Sequence, residues 1–155
     1  MVLRPVVLLL LLFSLGCGSS ENSSTIAHDL TTPEGAVLTL EDAYRAKDVE
    51  AAIRCKDFQV EARLMLEKIN PELAEDDLIA QTAEVLELGF RAEMRDSPPN
   101  FDGVSSTFSA PQPYNGRDDI VQLTETCSSS GGKTVNTLHA AKTADGWKVV
   151  SIPGD

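Results

Sequence analysis

Positive charge is what this sequence has least of. Its 155 residues hold 13 Lys and Arg against 24 Asp and Glu, a formal net charge of −11. Nucleic acid needs a basic face that displaces counterions, so it is excluded as a partner. Electrostatic docking on anionic lipid is excluded for the same reason. Histidine and cysteine are scarce, at 2 and 3 residues. With no C-x-x-C and no close His pair, no metal site is expected. The acidic group Glu72, Glu75, Asp76 and Asp77 lacks the alternating ligands and central Gly of an EF-hand loop, and it suits a helix start better. A phosphate-cradling Gly loop, a G-x-S-x-G elbow and a dinucleotide fingerprint are all missing, so no cofactor is implied. No internal repeat occurs, and no apolar run reaches the ~20 residues of a spanning helix. The remaining composition, 42% hydrophobic and 24% charged, is that of a folded chain. The length suits one modest domain.

The N-terminus reads as an export signal over residues 1–16. Arg4 supplies a short positive region and Val6 to Phe13 an unbroken apolar run. Ser14-Leu15-Gly16-Cys17 then resembles a bacterial lipobox. Gly16 and Cys17 fit that pattern, while Ser14 and Leu15 stand where it has Leu and a small residue. The resemblance implies cleavage before Cys17 and a diacylglycerol on its sulfur. The protein would then be exported and anchored by lipid to the cell membrane or outer membrane, facing the periplasm or exterior. Residues 17–32 are rich in Ser and Thr and read as a flexible tether spanning roughly 20 Å. His28, within it, is expected to be solvated.

With Cys17 acylated, Cys55 and Cys127 are left as an even pair in an oxidising compartment. A disulfide between them would close a loop of roughly 70 residues, worth about 4 kcal/mol in the chain-entropy model. It would tie the helical half of the domain to the strand half. Two buried free thiols are the alternative.

The domain proper is expected over residues 33–155. Thr32 and Pro33 open a first helix whose apolar positions are Val37, Leu40 and Tyr44. Asp48 caps a short second helix to Arg54, and Asp57 caps a third with Phe58, Ala62, Met65 and Ile69 on one face. Asp76 or Asp77 opens a fourth, striped by Ile79, Thr82, Leu86, Phe90 and Met94, in which Gly89 suggests close approach of another element. Beyond Pro98-Pro99 the period becomes two. Strands are expected at Val104–Ala110, Asp119–Cys127, Lys133–Lys142 and Trp147–Ile152, with Pro111–Gly116 a turn-rich connection and Ala144-Asp145-Gly146 a tight hairpin. In the second strand Val121, Leu123, Glu125 and Cys127 share one side. The fold class is therefore α+β, N-terminal helices packed on a curved antiparallel sheet of about four strands.

Two stretches carry a family resemblance. Pro33-Glu34, with Ala43-Tyr44-Arg45-Ala46-Lys47-Asp48-Val49-Glu50-Ala51-Ala52, is similar to the opening of the nuclear transport factor 2-like superfamily. Asp145-Gly146-Trp147-Lys148-Val149-Val150-Ser151-Ile152 is similar to its terminal strand, especially in small lipoproteins of the lumazine-binding-like branch. The family often has a hairpin between its second and third helices, whereas residues 57–96 read here as wholly helical. The resemblance implies a cone whose mouth holds a small apolar ligand or an active site. Relatives of ketosteroid isomerase type use an inward carboxylate as base. The matching candidates would be Asp102 or His139 as base and Tyr114 as donor. His139 reads better as a half-buried strand residue, Tyr114 as a rim residue and Trp147 as core.

Three functions follow as expectations. The favoured one is a non-catalytic module for a small apolar ligand or another envelope protein, with no catalytic residue assigned. An isomerase- or dehydratase-type enzyme and a structural assembly subunit are the others. Converging ionisable side chains in a deep cavity point to the enzyme, a wholly apolar cavity to the binder, and a filled cone to the subunit.

Overall fold

The structure, a computed structural model, describes residues 28–152. The segment read as an export signal, Cys17 and most of the segment read as a tether lie outside the described residues.

Among the described residues the helices come first: α1 Pro33–Ala46, α2 Val49–Arg54, α3 Phe58–Ile69 and α4 Asp76–Asp96, with a 3-10 turn at Pro71–Leu73. Their starts follow from short polar caps. The Gly35 amide donates to the Thr32 hydroxyl at 3.1 Å, the Ala51 amide to Asp48 at 2.9 Å and the Val60 amide to Asp57 at 3.0 Å. Lys47, in the left-handed region at φ 53, ends α1. The strands follow: β1 Ser105–Phe108, β2 Gln112–Tyr114, β3 Arg117–Ser129, β4 Gly132–Thr143 and β5 Gly146–Val150. The segment read as a turn-rich connection thus contains a short strand. It forms because Asn115 and Gly116 both take positive φ, giving a tight hairpin onto β3, and because Pro113 sits on a sheet edge where its missing N–H costs nothing.

The sheet is curled and antiparallel, in the order β1-β3-β4-β5, and β2 shares the β1 edge of β3. The β3–β4 hairpin is its spine, paired from Ile120↔Ala141 to Ser129↔Gly132. The helices pack on it as an α+β arrangement. One core joins α1 to the sheet through Val37, Leu40, Leu123 and Val149, with Trp147 packed at its margin. A second, of Phe58, Ala62, Leu66, Ile79 and Ala83, joins α3 to α4. A third sets Leu64 against Ile120, Ala141, Val150 and Ile152. Helix α3 is therefore buried on two sides. That is why its apolar face rotates away from the expected stripe: Leu64 and Leu66 are buried and Ile69 is 68% exposed.

The outer edge of β5 is closed by chain from two other places. The Val149 amide donates to the Cys55 carbonyl at 2.9 Å, and the Asp57 amide donates to Val149 at 3.2 Å. Farther along, the Trp147 amide donates to the Leu30 carbonyl at 2.8 Å. An edge strand thereby loses its free ladder. Residues 28–32, read as the end of the tether, are thus held against the domain, and two glycines make room for them. A Cβ on Gly35 would lie 2.0 Å from the Asp29 carbonyl oxygen, and one on Gly146 would lie 2.5 Å from that of Leu30. His28 is not solvated: its Nε2 meets Asp42 Oδ2 at 2.8 Å.

Gly89 does not mark a close approach, since a Cβ there would meet nothing within 4 Å. Gly89→Ala should therefore raise the unfolding free energy by about 1 kcal/mol, the intrinsic helix preference alone. Urea denaturation would check this, and a loss of stability would place a neighbour against that face.

Candidate functional site

Between α1 and the concave side of the sheet lies a cavity of about 290 Å³. Helical spacing brings Val37, Leu40, Glu41 and Tyr44 to one face of α1, so all four reach it. Strand β3 adds Glu125, β4 adds Leu138 and His139, and β5 and its continuation add Val149, Val150 and Ile152. Phe101 closes one side, its ring stacked on Tyr44 at 5.6 Å. Arg45 holds this arrangement by donating to the Phe101 and Val104 carbonyls, each at 3.3 Å.

The walls are mixed: Val37, Leu40, Leu138, Val149 and Ile152 alternate with Glu41, Lys56, Glu125, Thr137, His139 and Ser151. Glu41 is 1% exposed and Glu125 is 2% exposed. Glu41 Oε2 accepts from Arg45 at 2.7 Å, and Glu125 Oε2 accepts from Asn136 at 2.9 Å. The second oxygen of each carboxyl, Oε1, is buried away from Arg45 and Asn136, and the Glu41 carboxyl is within hydrogen-bonding reach of the Glu125 carboxyl and of Ser106. Burial raises the Glu41 carboxyl above the ordinary glutamate range, and neighbouring Glu125 pushes the same way. Hydrogen bonding to Ser106 and Arg45 opposes the rise. Burial also raises the Tyr44 phenol, so its hydroxyl stays protonated at neutral pH.

At the opposite end Lys56 and Glu61 form a different kind of polar site. Lys56 Nζ lies 2.6 Å from Glu61 Oε1 and donates to the Ser151 hydroxyl at 2.7 Å. The Ser151 amide donates to the same Glu61 oxygen at 2.7 Å. The ammonium also lies over the Phe58 and Phe90 rings, at 5.8 and 5.4 Å. Each charge has its complement there, so this pair closes the cavity as a structural cross-link.

The residues named from sequence are only partly brought together. His139 is 4% exposed and lines the cavity, more deeply buried than expected. Tyr114 meets it edge-on at 4.8 Å but belongs to a separate hollow with Leu64 and Glu67. Asp102 is exposed in a turn. Cys55 and Cys127 are free thiols, so the expected bridge is not formed. Cys55 ends α2 beside β5, whereas Cys127 lies in β3 near Ser106 and Asn136, at 3.6 and 3.7 Å. Burial raises both thiols above the ordinary range.

Glu41 and Glu125 were missed as a pair. Each had a sequence signal. Glu41 interrupts the Val37–Leu40–Tyr44 stripe, and Glu125 lies on the buried side of its strand among Val121 and Leu123. Nothing in the sequence set them face to face.

No family model matches the chain, and no curated protein matches it. Among solved structures it is similar to the phospholipid-binding protein from Ralstonia solanacearum in complex with a phospholipid. The identity is 14%, the match covers 79% of this chain and 76% of that one, and the TM-score is 0.44. We take neither family nor ligand from so loose an overlap.

Glu41 gives this site a pH signature. Its folded-state carboxyl ionises above the ordinary value of 4.5, so between the two values the native state keeps a proton that the unfolded chain has released. Native stability should therefore fall as pH rises through that window. In Glu41→Gln this part of the slope should vanish from a series of urea unfolding curves across pH 4–7. An unchanged slope would show that Glu41 ionises normally.

Proposed function

We propose that this chain is a lipid-anchored envelope protein whose domain holds a small, largely apolar molecule in the cavity between α1 and the sheet, without covalent chemistry. The observation that carries the binding role is the cavity itself: about 290 Å³, with Val37, Leu40, Leu138, Val149 and Ile152 as the apolar part of a mixed wall. A cone filled by Phe108, Trp147 and helix residues would have suited an assembly subunit, and the cavity counts against it. Placement in the nuclear transport factor 2-like group rests on the residues quoted at the two ends of the domain. The helical layer on a curled antiparallel sheet is compatible with it.

A second reading has its own support. Two carboxyls converge in the cavity, Glu41 is raised by burial, and the Tyr44 hydroxyl is on the same wall. An isomerase- or dehydratase-type enzyme would use Glu41 and Glu125 as its acid and base and Tyr44 as donor, in place of Asp102 and Tyr114. We prefer the binding role because Arg45 and Asn136 each tether one carboxyl oxygen to the walls of the cavity.

Titration with 1-hexanol, followed by methyl NMR, should shift Leu40, Leu138 and Val149 together. Leu138→Trp should fill the space and weaken binding at least about tenfold. Shifts scattered over the surface would overturn the binding role. The anchor is tested separately by the mass of membrane-extracted protein. The chain should begin at Cys17 and carry acyl mass, and an unmodified Cys17 in a soluble product would reject the anchor.

A further inference from the structure

Helix α4 is apolar on two sides, and among the described residues only one of them is covered. Ile79, Ala83, Phe90 and Met94 pack into the cores. Leu78, Val85, Leu88 and Ala92 lie on the other side, and with Gln81 and Arg95 they follow the alternating three- and four-residue spacing of a helix-packing seam. Leu78 is 37% exposed, Val85 68% and Leu88 66%. Gly89 shares this face, and since a Cβ there would meet nothing within 4 Å, the backbone itself is open to approach. One exposed apolar side chain is ordinary, but a seam of them along one helix is not.

The order of charge beside the seam says what fits it. Asp77, Glu84, Arg91 and Arg95 fall on one flank of α4, within about 40° of one another at about 100° per residue. The flank is therefore acidic in its first half and basic in its second. A second α4 laid antiparallel sets Asp77 against Arg95 and Glu84 against Arg91, twice over by symmetry. The same register sets Val85 against Leu88 and Leu78 against the stem of Arg95. A parallel copy would set like charge against like, and its helix dipole would be opposed as well. Arg91 is already bonded to Glu50 and Glu87, whereas Asp77, Glu84 and Arg95 make no ion pair among the described residues. The Asp77 and Arg95 pairs are thus the ones that set the orientation.

We propose that a second copy of this chain covers this face, the two α4 helices pairing antiparallel through Leu78, Val85, Leu88 and Ala92. The seam is about 26 Å long and one helix wide, which falls short of the roughly 800 Å² per partner of a permanent complex. The net charge of −11 also holds copies apart at long range. The dimer is therefore reversible, with a dissociation constant on the order of 100 µM. It lies outside the cavity beneath α1 and does not depend on what that cavity holds.

Sedimentation equilibrium of the full chain in density-matched non-ionic detergent, from about 5 to about 500 µM, should show the mass rising towards twice the monomer. Val85→Glu and Leu88→Glu, at exposed positions, should each weaken association at least about tenfold. Arg95→Glu should weaken it about threefold, and adding Asp77→Arg to the same chain should restore it, because both cross-copy pairs are then rebuilt reversed. Orientation is read by oxidative cross-linking with copper phenanthroline. Within one helix Leu78 and Arg95 are too far apart to bridge. Leu78→Cys with Arg95→Cys in one chain should give a covalent dimer, and either variant alone should give none beyond the wild-type level. A chain that stays monomeric throughout overturns the dimer. So does association that Val85→Glu and Leu88→Glu leave unchanged. Cross-linking by the single variants as strong as by the pair, or to a protein of another mass, overturns it too. The wild-type sedimentation series needs no variant to fold.

Discussion

A buried lysine at the junction of α2 and α3 holds the helical layer to the last strand. Lys56 is bonded to Glu61 of α3 and to Ser151 just after β5, and its neighbours Cys55 and Asp57 pair with Val149 through the backbone. One short link thereby fixes α2, α3 and the sheet edge at once. Breaking such a pair by removing one partner strands the other charge, at a cost of about 3–5 kcal/mol. With this corner fixed, α1 lies across the concave face at a set height, and the space beneath it becomes a cavity.

The protein buries charge in two ways, and the contrast is informative. Around Lys56 the charges are complementary, and the ammonium also rests on two aromatic rings. Around Glu41 and Glu125 two acidic groups face one cavity within hydrogen-bonding reach of each other. Packing does not require the second arrangement, because Gln or Leu would fill the same volume without desolvating a charge. A local rule broken inside a cavity is where function is to be sought. The same cavity walls that would hold an apolar body also lower the local dielectric and so strengthen whatever these carboxyls bind.

Much of the fold was legible because it is decided locally. Thr32, Asp48 and Asp57 cap the helices they were assigned to, and the change of period after Pro99 marks the passage from helix to strand. The misreadings come where a second layer intervenes. Ile69 fits the helical period of α3, yet the helix is wedged between the sheet and α4, and its buried side turns to Leu64 and Leu66. Residues 28–32 look like linker by composition. They are retained by backbone hydrogen bonds to β5 and by the space left at Gly35 and Gly146, neither of which composition records. The pairing of Cys55 with Cys127 was inferred from parity and compartment, and parity carries no distance.

By itself the sequence determined the charge, the helix starts, four of the five strands and the lipobox-like tetrad, because each depends on residues within a few positions of one another. Only the tertiary structure decided which side chains meet. Glu41 and Glu125 are 84 residues apart and belong to different layers. Their approach depends on how α1 crosses a sheet whose curl and edge are set by β3, β4 and Lys56. That geometry is a long-range property, and it turns two unremarkable glutamates into a site.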